Sequence, residues 1–180
     1  MCYFEGAKGP NTVNSVVCEV INSSEFPGFT VKSVPLDGNC LFAALADQLF
    51  FNGIDSEKRS LLDVRHQLVE YVRHDSALLS QIAISLDSGD TTMMYLDRMS
   101  KNGCWGDGNI VSAASLLFKK RIEVYKRGET KPMVIENDSA ENNSGDCLTL
   151  GFISVTHSST ENHYISLRKE AMCKQHVNCG

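Results

Sequence analysis

Leu36-Asp37-Gly38-Asn39-Cys40, running without a break into Leu41-Phe42-Ala43-Ala44-Leu45-Ala46-Asp47-Gln48-Leu49-Phe50-Phe51, is the stretch on which the fold turns. Its first residues are turn formers. The residues after Cys40 are apolar except Asp47 and Gln48, and a helix apolar on nearly every side belongs inside a protein. Asn52-Gly53 stops it. The pattern predicts a buried helix that opens at Cys40. A helix N-terminus carries partial positive charge and unpaired N–H groups, so a thiol there is expected to ionise below its ordinary pKa of about 8.5. Gly38 allows the backbone to bend until several amides converge, and such amides can hold an oxyanion. A nucleophile and its oxyanion hole thus fit between Asp37 and Cys40.

Upstream, Phe29 to Val34 alternates and reads as a short strand halted by Pro35. Residues 1–28 are polar and read as an N-terminal arm, with a short helix around Val13–Ile21. Downstream, Ser56 to His74 reads as an amphipathic helix capped by Ser56. It buries Leu61, Val64, Leu68 and Val72, and turns Arg59, Arg65 and Arg73 to water. Asp75 to Leu86 continues as helix. Thr91 caps a helix whose Met94, Tyr95 and Met99 are expected to pack. Asp107 or Asn109 caps a further apolar helix ending at Lys119-Lys120. The period then changes. Arg121–Lys126, Lys131–Glu136, Leu148–Val155 and His163–Leu167 read as strands, Leu148–Val155 being central by its apolar content. Asn137–Asp146 and Thr156–Asn162 read as polar loops. Helices first and strands last make an α+β fold with a small mixed sheet. One unit spans 29–168, and 169–180 is a polar tail.

The 180 residues suit a single domain, burying roughly 70% of the unfolded surface. The chain is 42% hydrophobic and 22% charged, which excludes collagenous and mostly disordered classes. A net charge of −5 argues against nucleic acid held through its phosphates. No apolar run is long enough for a membrane span, and MCYFEGAKGP has no basic start or apolar core of a secretory signal. Seven irregularly spaced cysteines without a CxxC pair point to free thiols in a reducing, cytoplasmic compartment. Cys173, His176 and Cys179 lack a fourth metal ligand nearby.

A cysteine nucleophile needs a base. His66 and His74 fall on the charged helix, His157 in a polar loop and His176 in the tail. His163 stands where a loop enters a strand, held firmly yet reachable.

Leu36-Asp37-Gly38-Asn39-Cys40-Leu41-Phe42, Cys104-Trp105-Gly106-Asp107 with the following helix and Arg121-Ile122-Glu123-Val124-Tyr125, and Asn162-His163-Tyr164 stand in that order along the chain. Together they resemble the ovarian tumour (OTU) family of cysteine deubiquitinases over about residues 29–168. The resemblance implies a papain-like cysteine protease fold, the small mixed sheet packed between helices. It implies Cys40 as nucleophile, His163 as general base and Asp37 within the catalytic constellation. Gly38, Asn39 and Cys40 would lend backbone amides to the oxyanion hole, and Asn162 would lie with them at the substrate tail. Trp105 would line the tail channel or serve as plain core. Asp37 also reads as an ordinary turn aspartate capping the helix, and the two readings are not exclusive.

The family often sets Asn or Asp two residues after the histidine, and here that position is Ile165. The third member is then Asp37, Asn162, Glu161, a backbone carbonyl or none. The implied reaction is hydrolysis after the C-terminal glycine of ubiquitin or a ubiquitin-like modifier, through a thioester and without metal or cofactor. The implied partner is ubiquitin or polyubiquitin, bound by a monomeric domain, with no nucleic acid and no membrane. Residues 75–100 and the strands after 121 would dock the modifier's body. Ile165 leaves open a second reading, a catalytically weak ubiquitin-binding module. A third is another thiol acyl-transfer enzyme or a protease acting on peptides.

Overall fold

The computed structural model describes residues 23–136, 147–154 and 162–169. A short 3-10 turn, Ser23–Glu25, precedes β1 (Phe29–Lys32). Five helices follow: α1 (Cys40–Phe51), α2 (Leu61–His74), α3 (Ser76–Ser85), α4 (Thr92–Ser100) and α5 (Gly108–Phe118). Strands β2 (Ile122–Lys126), β3 (Met133–Ile135), β4 (Leu148–Ser154) and β5 (Asn162–Lys169) complete the described chain. The expected helix at Val13–Ile21, the loop at 137–146, His157, Glu161, the tail from residue 170 and four of the seven cysteines lie outside the described residues.

The strands form one sheet in the order β1-β5-β4-β2-β3. β2 and β4 run parallel and the other neighbours antiparallel, so the sheet is mixed, with β4 in its middle. α1 packs on β4 and β5 and is buried at Cys40, Leu41, Phe42, Leu45 and Leu49. α2, α4 and α5 supply Leu68, Leu96 and Ile110 to the same core. A second, smaller core holds Phe26, Phe29, Ile153, Ile165 and Leu167. Packing therefore begins before the expected boundary at residue 28, with Glu25 paired to Arg127 at 2.7 Å.

Local signals explain most element limits. α2 starts at Leu61, not near Ser56. Ser60 is its cap, accepting the Asp63 N–H at 3.1 Å, while Arg59, in the loop before it, donates to Asp55 of that loop and to Gln67 of the helix. Asp75, Thr91 and Asp107 cap α3, α4 and α5. β1 stops at Lys32, short of Val34, and β3 begins only after Pro132, which has no N–H to donate to a ladder. Tyr95 and Met99 are buried as expected, but Met94 is half exposed. Arg65, expected in water, is 2% exposed.

The two polar residues of α1 are buried and join helix to sheet. The Gln48 amide donates to Ser166 Oγ and to the Leu167 carbonyl, both at 2.8 Å, and its oxygen accepts the Thr149 N–H at 2.7 Å. Ser166 Oγ donates to Asp47 Oδ2 at 2.6 Å, and Arg168 reaches both Asp47 oxygens at 2.7 and 3.2 Å. Burial pushes the Asp47 carboxyl up. The hydrogen bonds from Arg168 and Ser166, with the charges of Arg168 and Lys58, outweigh it and hold the carboxyl below its ordinary value.

Gln48→Ala strips partners from three buried groups at once. We expect a loss of about 3 kcal/mol in unfolding free energy, read by urea denaturation. An unchanged midpoint would show that the network does not join α1 to the sheet energetically.

Candidate active site

Cys40 is the first residue of α1, at the point where the chain leaves the 36–39 turn. It is 1% exposed. His163 is the second residue of β5 and 7% exposed. The sheet sets β5 beside the start of α1: the N–H of Tyr164, the residue after His163, donates to Cys40 Sγ at 3.5 Å. Asp37 joins them electrostatically, its charge acting on both the thiol and the imidazole.

The thiol differs from its expected state. Burial pushes the Cys40 thiol up, against the Tyr164 and Leu41 N–H groups that favour the thiolate, and Asp37 adds to the rise. Desolvation outweighs the helix terminus in this closed arrangement. Burial also lowers the His163 imidazole below its ordinary value, and Asp37 opposes that shift. Both shifts favour the thiol and the neutral imidazole, the form in which His163 can take a proton.

The turn before Cys40 is held from behind. Gly38 has φ +78°, and a Cβ there would lie 1.8 Å from the Gly103 carbonyl oxygen. Only glycine allows the two loops to lie this close. The Asn39 N–H donates to Asp37 Oδ1 at 3.0 Å. That amide, expected in the oxyanion hole, is engaged within the turn. The Asn39 side-chain oxygen accepts the Gly103 N–H at 3.0 Å and Arg65 Nη2 at 2.7 Å.

Arg65 is the residue that sequence reasoning missed. Its guanidinium donates to the carbonyls of Met99 (2.8 Å), Gly38 (3.1 Å) and Cys104 (2.7 Å) as well as to Asn39. It lies over the Phe42 ring, 3.8 Å from the centroid. The signal was present: position 65 falls in the helical stripe 61-64-65-68-72 that faces the core.

Trp105, Gly106, Asp107, Gly108, Phe152, Asn162 and Tyr164 line a cleft of about 290 Å³. Trp105 is half-buried, packed against the main core while also lining the cleft. Asn162 is exposed at the start of β5. A larger groove of about 560 Å³ shares no residue with this cleft and meets the site through Asp37 and Asn39.

Residues 35–164 match the family model for OTU-like cysteine proteases. The chain belongs to that family. It is 39% identical over 105 residues to "OVARIAN TUMOR DOMAIN-containing deubiquitinating enzyme 10" of Arabidopsis thaliana, an alignment covering 57% of this chain and 26% of that protein. It is 29% identical over 119 residues to "OTU domain-containing protein 5-A" of Danio rerio, covering 66% and 19%. The chain thus spans about a quarter or less of the curated relatives it matches. Among solved structures, the OTU domain of OTUD1 superposes with a TM-score of 0.57 at 15% identity, covering 78% of this chain and 85% of that one. The Hazara virus OTU bound to ubiquitin gives 0.55 at 19% identity, covering 79% and 82%. The architecture is the papain-like one of OTU domains.

Ile165 now has a structural reason. It is fully buried in the second core, opposite Gly151 in the β4–β5 ladder, and a Cβ on Gly151 would strike its Cγ1 at 2.6 Å. The position where the family resemblance led us to expect an amide or carboxylate is here a packing position. His163 Nδ1 is buried and accepts or donates no hydrogen bond among the described residues.

Arg65→Lys keeps the charge but loses the planar fork. We expect a stability loss of about 3 kcal/mol in chemical denaturation, with labelling of Cys40 by a thiol-reactive probe altered at denaturant concentrations where the fold persists. Gly38→Ala should act on the same loop, and normal stability of both variants would refute this role.

Proposed function

We propose that the chain is a thiol-dependent deubiquitinase that cleaves isopeptide or peptide bonds after the C-terminal glycine of ubiquitin or a ubiquitin-like modifier. The observation that carries this reading is the convergence of Asp37, Cys40 and His163, with the Tyr164 N–H on the Cys40 sulfur. The family and the names of the relatives support it.

His163 takes the Cys40 proton, and the thiolate attacks the glycine carbonyl. The Cys40 N–H and neighbouring amides of the turn hold the oxyanion. The protonated His163 then passes its proton to the leaving amine, and water cleaves the thioester. Asp37 acts by holding the turn through the Asn39 N–H and by its charge on both partners. Trp105 and Asn162 flank the entering tail. Residues 29–168 form the catalytic unit, a monomer working in a reducing compartment such as the cytoplasm, with ubiquitin or polyubiquitin as its partner and neither nucleic acid nor membrane involved. Cys40, Cys104 and Cys147 are free thiols, and no helix among the described residues is long and apolar enough to cross a membrane.

A ubiquitin-binding module of low activity is the second reading. The unpartnered His163 Nδ1 and the apolar Ile165 favour it, since an imidazole without an orienting group loses rate before it loses binding.

Wild type should turn over a fluorogenic ubiquitin amide, and Cys40→Ala should lose all reaction with ubiquitin propargylamide. His163→Ala should lose activity by orders of magnitude. Activity requires neutral His163, so the acid limb of kcat/KM should lie below the ordinary imidazole value of about 6.5. Asp37→Asn removes the charge that raises the imidazole, so it should move that limb lower still. Binding without turnover would select the second reading, and labelling of Cys40→Ala would mean that another thiol reacts.

A further inference from the structure

Asp107 does more than cap a helix. Its Oδ1 accepts the N–H groups of Asn109 and Ile110, at 3.0 and 3.1 Å, and the Tyr95 hydroxyl at 2.9 Å. Three donors on one oxygen fix the carboxylate in place. Among the described residues every hydrogen bond it accepts falls on Oδ1, and Oδ2 has no protein partner. No ion pair among the described residues involves it.

The same residue lines the cleft with three aromatic rings, Trp105, Phe152 and Tyr164. Phe152 and Tyr164 pack edge to face with centroids 5.0 Å apart. Burial and the charges of Cys40 and Asp107 push the Tyr164 phenol up to about 12, which shows that the Asp107 charge is felt across the cleft. Tyr164 also connects the cleft to the chemistry, its N–H lying on Cys40 Sγ.

A rigid carboxylate with one open oxygen, set among flat rings, suits a guanidinium. The cation gains a charge-assisted hydrogen bond and a face to stack on. An ammonium gains the first but has no plane to stack. We propose that Asp107 is a specificity-determining residue that receives an arginine side chain of the substrate's C-terminal tail, against the walls formed by Trp105, Phe152 and Tyr164. This rests on the deubiquitinase reading, because ubiquitin's tail carries two arginines shortly before its closing Gly–Gly.

The test is steady-state kinetics with fluorogenic ubiquitin amides: the natural tail, and two variants in which one or the other arginine is alanine. Each is assayed with wild type and with Asp107→Asn. Asn caps a helix as well as Asp does and can still accept from Tyr95, so thermal unfolding should be unchanged. On the natural tail, Asp107→Asn should raise KM about tenfold, the size of one charge-assisted hydrogen bond, with kcat near wild type. On one of the alanine tails that difference should vanish, since the partner is already gone. Asp107→Ser, also a cap without charge, should behave like Asp107→Asn. The proposal is overturned if the substitution changes nothing, or if it acts equally on all three tails. If wild type turns over none of the three substrates, the deubiquitinase reading itself fails, an outcome separate from turnover that ignores Asp107.

Discussion

The buried guanidinium of Arg65 is the constraint on which the position of Cys40 depends. It gathers the carbonyls of Gly38, Met99 and Cys104 and the side chain of Asn39 around one cation. Four acceptors from segments far apart in sequence are thereby satisfied where water cannot reach. Without the fork the three carbonyls would lose this donor and the Asn39 oxygen would keep the Gly103 N–H alone, at about 1–3 kcal/mol for each buried group left unsatisfied. The Phe42 ring beneath the cation belongs to the first turn of α1, so one side chain fixes both the turn before Cys40 and the helix after it.

α1 then works as the axis of the site. Its first residue is the sulfur, and its third turn holds Asp47 and Gln48, which grip Ser166, Leu167 and Arg168 on β5. β5 begins with Asn162 and His163. The helix therefore sets the cysteine at one end and, through the polar network at the other, fixes the strand that carries the histidine. Neither reactive residue sits on a mobile tip of the described chain; each is the opening of a regular element, where free N–H groups and cleft access coincide.

Electrostatics within the site run against a resting ion pair. Burial raises the thiol and lowers the imidazole, and Asp37 is the charge that acts on both. Ile165, two residues after His163, is a packing residue set against Phe26 and Gly151. His163 is held by its place in β5 and is buried, with Asp37 as the anion whose charge acts on it.

The sequence by itself determined the buried helix at Cys40, the cap at Thr91, the choice of Asp107 or Asn109 as the cap of α5, the central strand at Leu148 and the pairing of Cys40 with His163 as candidates. These follow from local periodicity, turn chemistry and motif order, which are properties of neighbours along the chain. Tertiary structure decided the rest. Arg65 became a buried tether because carbonyls from three separate segments meet at its position on α2. The Asn39 amide was drawn back to Asp37, and the Cys40 thiol was raised, because burial is set by everything packed around a group, and no stretch of sequence states how dry its neighbourhood will be.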